Sequence, residues 1–354
     1  MASVNDEIRD KAIRHALYLQ RFGNGLTEQV IALLDEASEE IVAKLAARLA
    51  SIDERGLTLS DRATKRLQML LDEIKGLNAA LYGQIGETLS EQLSGLGSVE
   101  AQFQAATLQT VLPVAFQTAI PSPTRLRAII ETSPMEGALL SSWTEGVQDG
   151  TAKRIEQAIR KGMVQGLGTD DLVRSIRGTK KQNYKDGVLE ISRRSARSIV
   201  RTSVSHVSNV AAQETWKANE RVVKGWQYVS TLDSRTTITC AALNGQVFPV
   251  GEGPMPPRHI GCRSLSIAVT KSFKEMGFDS DEVTASERAS MDGKVAGDIT
   301  FEKWLKDKGE GTQNDILGPT RAALFRDGKL SLQDFIKNDG TVLTIEQLSK
   351  IYKI

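Results

Sequence analysis

Cysteine and aromatic residues are scarce in this chain. Only two of its 354 residues are cysteines, and 5% are aromatic. Two cysteines exclude a disulfide-rich scaffold and favour a reducing compartment. Because alanine and leucine are abundant in the first half, the low aromatic content favours helices over a sandwich of short strands.

Long apolar runs and a one-sided charge are also missing. No segment reaches the about 18 consecutive apolar residues of a membrane-spanning helix, so we expect no membrane contact. Asp6, Glu7 and Asp10 stand where a signal peptide would be basic and then apolar, so we expect no signal peptide. With 45 basic and 44 acidic side chains, the net charge is +1. This balance excludes a chain built uniformly to coat nucleic acid.

The spacing of the apolar residues predicts an α+β fold that is predominantly helical. Apolar residues recur every three or four positions through the N-terminal and central regions, whereas β-branched and aromatic residues dominate after Glu220. We therefore expect a small β-module at about 221–270 and a short helical C-terminal tail. The predicted segments are a helical region at 1–125, a core at 126–270, a linker at 271–300 and a tail at 301–354.

Two local predictions refine this outline. Asn244-Gly245 is a typical hairpin turn, so it predicts that Ala241–Leu243 pairs with Gln246–Phe248 as two strands. The linker lacks a clear period, and we expect at most one short helix in it, at 285–291.

One stretch of the chain is strongly basic. Residues 174–201 contain nine basic and two acidic side chains, a local net charge of +7. We predict that part of this stretch contacts DNA or an acidic partner surface. The residues proposed for this contact are Lys180, Lys181, Lys185 and Arg194. The alternative is a solvated face, or arginines paired with acids elsewhere in the fold, and for Arg201 we expect pairing with an acid such as Asp233.

Both cysteines and one of the three histidines fall within 23 residues, at Cys240, His259 and Cys262. Thiolate and imidazole are the preferred ligands of zinc, and Asp233 is the nearest oxygen donor for a fourth position. We expect these four residues and Arg235 to converge in space. Zinc, two buried thiols without metal, and a Cys240–Cys262 disulfide all remain open.

Several ordered motifs resemble one family. They are Arg201-Thr202, the segment Asp233-Ser234-Arg235-Thr236, Cys240, Asn244-Gly245, and Pro256-Pro257-Arg258-His259-Ile260-Gly261-Cys262-Arg263. This succession resembles the phage Mu protein F-like family of minor head, or head morphogenesis, proteins. The resemblance spans about 150–270. Thr237 and Ser264 stand where the family often has cysteines, which weakens the expectation of zinc.

The resemblance implies a protein of the virion, inside the capsid near the portal of a tailed double-stranded DNA phage. It implies a role in head assembly, or in DNA packaging and ejection, and residence in the host cytoplasm during assembly. The implied partners are the portal protein, the major capsid or scaffolding protein, and packaged DNA through non-specific contacts.

Two other function classes compete with this interpretation. One is a metal-dependent nuclease or other hydrolase, and the other is an effector ejected with the phage genome. No P-loop, no G-x-S-x-G, no H-E-x-x-H and no dinucleotide-binding fingerprint occurs in the chain. We therefore expect no enzymatic activity and no catalytic residues.

Overall fold

The computed structural model describes residues 4–53, 61–112, 116–165, 167–182, 184–272, 274–277, 287–290, 293–296, 299–337 and 339–353. The helices are α1 (Val4–Asp53), α2 (Asp61–Val111), α3 (Pro123–Thr132), α4 (Leu140–Val164), α5 (Thr169–Arg177), α6 (Val188–Ala218), α7 (Ile238–Leu243), α8 (Phe301–Lys306), α9 (Glu310–Leu317), α10 (Pro319–Arg326) and α11 (Ile345–Tyr352). The strands are β1 (Val223–Val229), β2 (Val247–Phe248), β3 (Leu265–Thr270), β4 (Glu287–Ser290) and β5 (Gly293–Ala296). The predicted α+β fold, predominantly helical, is confirmed.

The predicted β-module is a three-stranded antiparallel sheet in the order β2-β1-β3. β1 lies in the centre, where Trp226 faces Phe248 on one side and Ala268 on the other. The side chain of Trp226 is fully buried. The sheet is small, so its stability depends on what packs against this central strand.

The hairpin predicted at Asn244-Gly245 is wrong. Ala241–Leu243 belongs to α7, and β2 pairs with β1 instead. Thr237 caps α7 by accepting a hydrogen bond from the backbone N–H of Cys240. The side chain of Asn244 accepts hydrogen bonds from the N–H and hydroxyl of Ser230, at 2.9 and 3.1 Å. Its role is therefore to anchor the end of α7 to the end of β1.

The predicted linker contains two short strands rather than the expected helix. Where a short helix was expected at 285–291, β4 pairs with β5 in an antiparallel hairpin. Residues 278–286, 291–292 and 297–298 of the predicted linker lie outside the described residues.

The chain forms two compact units, each assembled from segments that are distant in sequence. Unit 1 comprises Met1–Leu19, Ser94–Ile130 and Val204–Ile354, and unit 2 comprises Gln20–Leu93 and Glu131–Ser203. Helices α1, α2 and α6 each contribute residues to both units.

Unit 1 has one core that joins the sheet to the C-terminal helices. Trp226 and Tyr228 of β1, Trp304 of α8 and Phe325 of α10 belong to the same buried cluster. The predicted C-terminal tail is thus helical, and it completes the core of the sheet.

A buried polar chain crosses the helical part of unit 1. His15 donates to the carboxylate of Glu100 at 2.7 Å, and Gln104 donates to the same carboxylate at 2.7 Å. Trp216 in turn donates its indole N–H to Gln104 at 3.0 Å. These contacts join α1, α2 and α6, and they satisfy Glu100 although it is almost fully buried.

The described residues of unit 2 form helices joined by loops, with one isolated β-bridge between Met135 and Ala138. Its core lies between α1, α2, α4, α5 and α6. Ile41, Leu71, Ile155 and Ile176 are among the residues that build it. Across the part of the chain that the structure describes, no helix combines the length and the apolarity needed to cross a bilayer.

A close backbone approach in the sheet yields a stability prediction. A Cβ on Gly225 of β1 would lie 2.4 Å from the carbonyl oxygen of Phe248. Gly225→Ala should therefore lower the free energy of unfolding by about 1–3 kcal/mol, because the β1–β2 backbone must shift. Urea unfolding followed by tryptophan fluorescence checks this, since Trp226 is buried in the same strand.

Gly95→Ala in α2 is the matched control. Nothing lies within 4 Å of the position of its Cβ. Alanine is the better helix former, so this variant should be more stable by about 0.5–1 kcal/mol. A Gly225→Ala variant as stable as the wild type would contradict the close approach.

Candidate functional site

Cys240, His259 and Cys262 come together beside the sheet of unit 1. Their ligand atoms all lie within 4.8 Å of one another. The Cys240 and Cys262 sulfur atoms are 3.7 Å apart, and His259 Nε2 lies 3.4 Å from the Cys240 sulfur. Both cysteines are buried as free thiols. The structure therefore brings three of the four predicted ligands into one cluster.

Local turns place these three side chains. Cys240 lies in the first turn of α7, and His259 and Cys262 lie in the loop that leads into β3. The backbone N–H of Cys262 donates to the carbonyl of His259 at 3.1 Å. Gly261 has a φ of +75°, and this left-handed conformation lets the loop turn between the two ligands.

A C-terminal loop holds the two sides of the cluster. The Thr239 hydroxyl of α7 donates to the carbonyl of Gly340 at 2.9 Å. The guanidinium of Arg258 donates to the carbonyl of Asp339 at 2.7 Å. The same loop therefore contacts the helix that carries Cys240 and the loop that carries His259 and Cys262.

Hydrogen bonds shift the pKa values of the groups in this cluster. The hydrogen bond from the Cys240 thiol lowers the pKa of Cys262 and raises that of Cys240. The hydroxyl of Tyr228 donates to the Cys240 sulfur at 3.2 Å. Burial raises the pKa of Tyr228 far above its ordinary value, so this hydroxyl stays a hydrogen-bond donor.

Asp233 is not a member of the cluster and has another role. Its carboxylate binds the guanidinium of Arg263 through two hydrogen bonds, at 2.5 and 2.7 Å. It also accepts from the backbone N–H of Arg235 at 3.0 Å and from the hydroxyl of Thr236 at 3.3 Å. The bonds from Arg263 hold the pKa of Asp233 below its usual range. Asp233 therefore ties the segment after β1 to the loop before β3.

Three other residues of the family-like motifs, Arg201, Thr202 and Arg235, lie outside the cluster. Arg235 is 79% exposed, and its guanidinium lies 3.8 Å from Asp233. Thr202 is fully buried and donates to the carbonyl of Ser198 within α6. Arg201 is exposed on α6, and the arginine that forms the bidentate pair with Asp233 is Arg263. The expected pairing of Arg201 with Asp233 is corrected accordingly.

Three residues around the cluster were not predicted from the sequence as site residues. They are Tyr228, which donates to Cys240, Arg263, which binds Asp233, and Ser264, whose hydroxyl interacts with the Cys240 sulfur. Arg263 and Ser264 directly follow Cys262 in the chain. Their position next to a predicted ligand could therefore have indicated that they belong to the site. Tyr228 had no such signal, because it reaches Cys240 from the central strand.

The predicted basic residues lie on a closed loop and the helix that follows it. Lys180, Lys181 and Lys185 are exposed between Gly178 and Gly187. The carboxylate of Asp186 accepts from the N–H and hydroxyl of Thr179, at 2.7 and 2.8 Å, which closes the loop. We call residues 178–182 and 184–187 the basic loop.

Within α6, the arginines divide into paired and exposed side chains. Arg193 is 15% exposed and contacts Asp35 at 2.5 Å, and Arg197 contacts Glu190 at 3.2 Å. Arg194 is 66% exposed and lies 4.0 Å from Glu190, at the limit of an ion pair. The basic loop and Arg194 therefore present positive charge to the solvent.

One of the comparisons with known proteins found a match. The model of the family described as "Phage Mu protein F like protein" matches residues 153–267. The match confirms the predicted resemblance over this segment, which contains the basic loop, Asp233 and the Cys/His cluster. No curated protein and no solved structure matches the chain.

The match supports a general function in phage head morphogenesis and a place among virion components. Proteins of this family are in general structural rather than enzymatic. The segment before residue 153 and the segment after 267 lie outside the match.

The Asp233–Arg263 pair yields a prediction about stability and pH. Asp233→Asn should lower the free energy of unfolding by about 1–3 kcal/mol at neutral pH, because it removes a charge-assisted bidentate bond. A carboxyl with a lowered pKa in the folded state stabilises the fold above its ordinary pKa of about 4. This contribution is lost as the pH falls through the lowered value. Urea unfolding of both proteins at a series of pH values measures the difference, which should shrink in acid.

Arg235→Ala serves as the control for this measurement. It removes the other arginine near Asp233, but an exposed ion pair contributes only about 0–1 kcal/mol. Equal losses in the two variants, or a difference that does not depend on pH, would contradict the assigned role of Arg263.

Proposed function

We propose that this chain is a minor head protein of a tailed double-stranded DNA phage, located inside the capsid near the portal. In this role it acts in head assembly, in DNA packaging and ejection, or in both, through contacts with the portal protein and with packaged DNA. The observation that carries the proposal is the family match over residues 153–267.

The chemistry of the site favours a structural role over hydrolysis. A hydrolytic site needs an acid or base that exchanges protons beside the reacting water. Asp233, the carboxylate that was predicted to lie beside the cysteines, is bound by Arg263 and has a lowered pKa. Its hydrogen bonds join two segments of the chain. These contacts support a packed structural module rather than an active site.

The basic loop supports a contact with DNA. Lys180, Lys181, Lys185 and Arg194 are exposed, whereas the nearby Asp186 is engaged in closing the loop. Arg193 and Arg197 are partly neutralised by acidic partners. Four exposed basic side chains suit non-specific binding to the phosphates of DNA, which is concentrated inside a filled capsid.

The location is tested by cross-linking mass spectrometry of purified phage particles that contain the chain. The proposal expects a few copies per particle and cross-links from the chain to the portal protein. Cross-links mainly to the major capsid protein would contradict the location near the portal. Absence of the chain from purified particles would overturn the minor-head proposal itself.

The DNA contact is tested by reversing the charge at four exposed positions. The changes are Lys180→Glu, Lys181→Glu, Lys185→Glu and Arg194→Glu. If about three to five phosphates are contacted, log K for duplex DNA should fall with log salt at a slope of about −3 to −4.5. The variant should bind DNA weakly and lose this slope, which fluorescence anisotropy with labelled duplex DNA measures.

A control variant carries the same change in net charge on the C-terminal segment. Its changes are Lys303→Glu, Lys329→Glu, Lys337→Glu and Lys350→Glu, all at exposed positions. It should keep the affinity and the salt dependence of the wild type. Equal loss in both variants would mean that only the net charge matters, and unchanged binding in the first would exclude the basic loop as the DNA contact.

A further inference from the structure

We infer that Cys240, Cys262 and His259 form a tetrahedral zinc site with three protein ligands, whose fourth position lies beside Ser264. This inference concerns the Cys/His cluster alone and is independent of the proposed role in the phage head. It is argued from the distances between the three ligand atoms, from the tautomer of His259 and from the hydrogen bonds to the two sulfur atoms.

Two of the three distances between ligand atoms are close to the edges of a zinc tetrahedron. Two thiolates each about 2.3 Å from a tetrahedral zinc are about 3.8 Å apart. A thiolate and an imidazole nitrogen, at about 2.3 and 2.05 Å from the ion, are about 3.6 Å apart. The observed separations are 3.7 Å between the sulfurs and 3.4 Å between Cys240 and His259 Nε2. Two edges therefore have nearly tetrahedral lengths, and the third, between the Cys262 sulfur and His259 Nε2, is no longer than 4.8 Å.

The tautomer of His259 suits a metal ligand. Its Nδ1 lies 3.1 Å from the carbonyl oxygen of Ile260. A carbonyl only accepts hydrogen bonds, so Nδ1 carries the proton and Nε2 keeps its lone pair. Nε2 is the nitrogen that faces the Cys240 sulfur. A backbone carbonyl that orients the ligating histidine in this way is the usual outer partner of such a ligand.

Hydrogen bonds from the surrounding protein reach both sulfur atoms. The Tyr228 hydroxyl donates to the Cys240 sulfur at 3.2 Å. The backbone N–H groups of Arg258 and Ser264 point to the sulfur of Cys262. Two thiolates neutralise a divalent cation, so the complete site carries no net charge and tolerates burial.

The donor set favours zinc over magnesium and calcium. Two sulfurs and one imidazole suit zinc, whereas magnesium and calcium require oxygen ligands. Asp233 is engaged by Arg263 and does not join the cluster. Ser264 is only 3% exposed, and its hydroxyl interacts with the Cys240 sulfur. A water molecule or this hydroxyl therefore completes the coordination.

Cobalt(II) is the probe for this site. Tetrahedral Co²⁺ absorbs strongly in the visible, and a bound thiolate adds a charge-transfer band in the near ultraviolet. Because the chain has only two cysteines, any thiolate–cobalt band must come from Cys240 or Cys262. Reduced full-length protein should give both bands at one equivalent of Co²⁺, and one equivalent of Zn²⁺ should abolish them.

Two variants establish which residues bind the ion. Cys262→Ser should lose at least half of the charge-transfer intensity and bind Co²⁺ at least tenfold more weakly. Ser264→Cys supplies a third thiolate at the fourth position, so it should increase the charge-transfer intensity and tighten binding at least tenfold. This gain does not depend on whether the Cys262→Ser variant folds.

Ser272→Cys is the matched control for the added thiol. Ser272 follows β3, about 20 Å or more along an extended chain from the cluster. This variant should leave the cobalt spectrum and the affinity unchanged.

Three results would overturn the inference. The first is reduced wild-type protein that binds no Co²⁺ and contains no zinc by native mass spectrometry. The second is a Ser264→Cys variant that binds no more tightly than the wild type. The third is protein purified without reductant that contains a Cys240–Cys262 disulfide instead of metal, counted as missing thiols after denaturation.

Discussion

The bidentate pair between Asp233 and Arg263 connects the two segments of the chain that carry the Cys/His cluster. It joins the segment that leaves β1 to the loop that enters β3, and two parallel hydrogen bonds fix its geometry. Cys240 follows Asp233 on one side of this connection, while His259 and Cys262 precede Arg263 on the other. The same two segments are also joined by the pairing of β1 with β3 and by the Thr231 hydroxyl, which donates to the carbonyl of Arg263 at 3.4 Å. An arginine suits this position because its planar fork matches a carboxylate.

The two candidate sites of the molecule differ in their exposure to solvent. Around Cys240, Cys262 and His259, hydrogen bonds from Tyr228 and from the backbone keep polar groups satisfied in a buried setting. In the basic loop, the acid Asp186 is engaged in closing the loop, and the lysines extend into the solvent. In the roles proposed for them, burial would restrict the cluster to one ligand geometry, whereas exposure would let the loop contact phosphates without sequence preference.

Sequence patterns predicted the elements better than their connections. The three- and four-residue spacing predicted a mostly helical chain, and the β-branched residues after Glu220 predicted the sheet. Asn244-Gly245 misled the prediction, because an Asn-Gly pair signals a turn but does not determine what precedes it. The Thr237 cap and the bonds from Ser230 to Asn244 favoured a helix before this turn. In the linker, β4 pairs with β5, which begins only a few residues later. The short sequence of these strands has no period that distinguishes a strand from a helix.

The sequence by itself determined the class of fold, the family resemblance and the set of chemically active side chains. Cys240, His259, Cys262 and the lysines of the basic loop could all be named from residue type and spacing. Only the tertiary structure decided that Asp233 binds Arg263 instead of joining the cysteines, because the partner of an ion pair depends on which loops converge. It also decided that Tyr228, from the central strand, reaches Cys240. Contacts between residues distant in sequence arise from packing, and no local period encodes them.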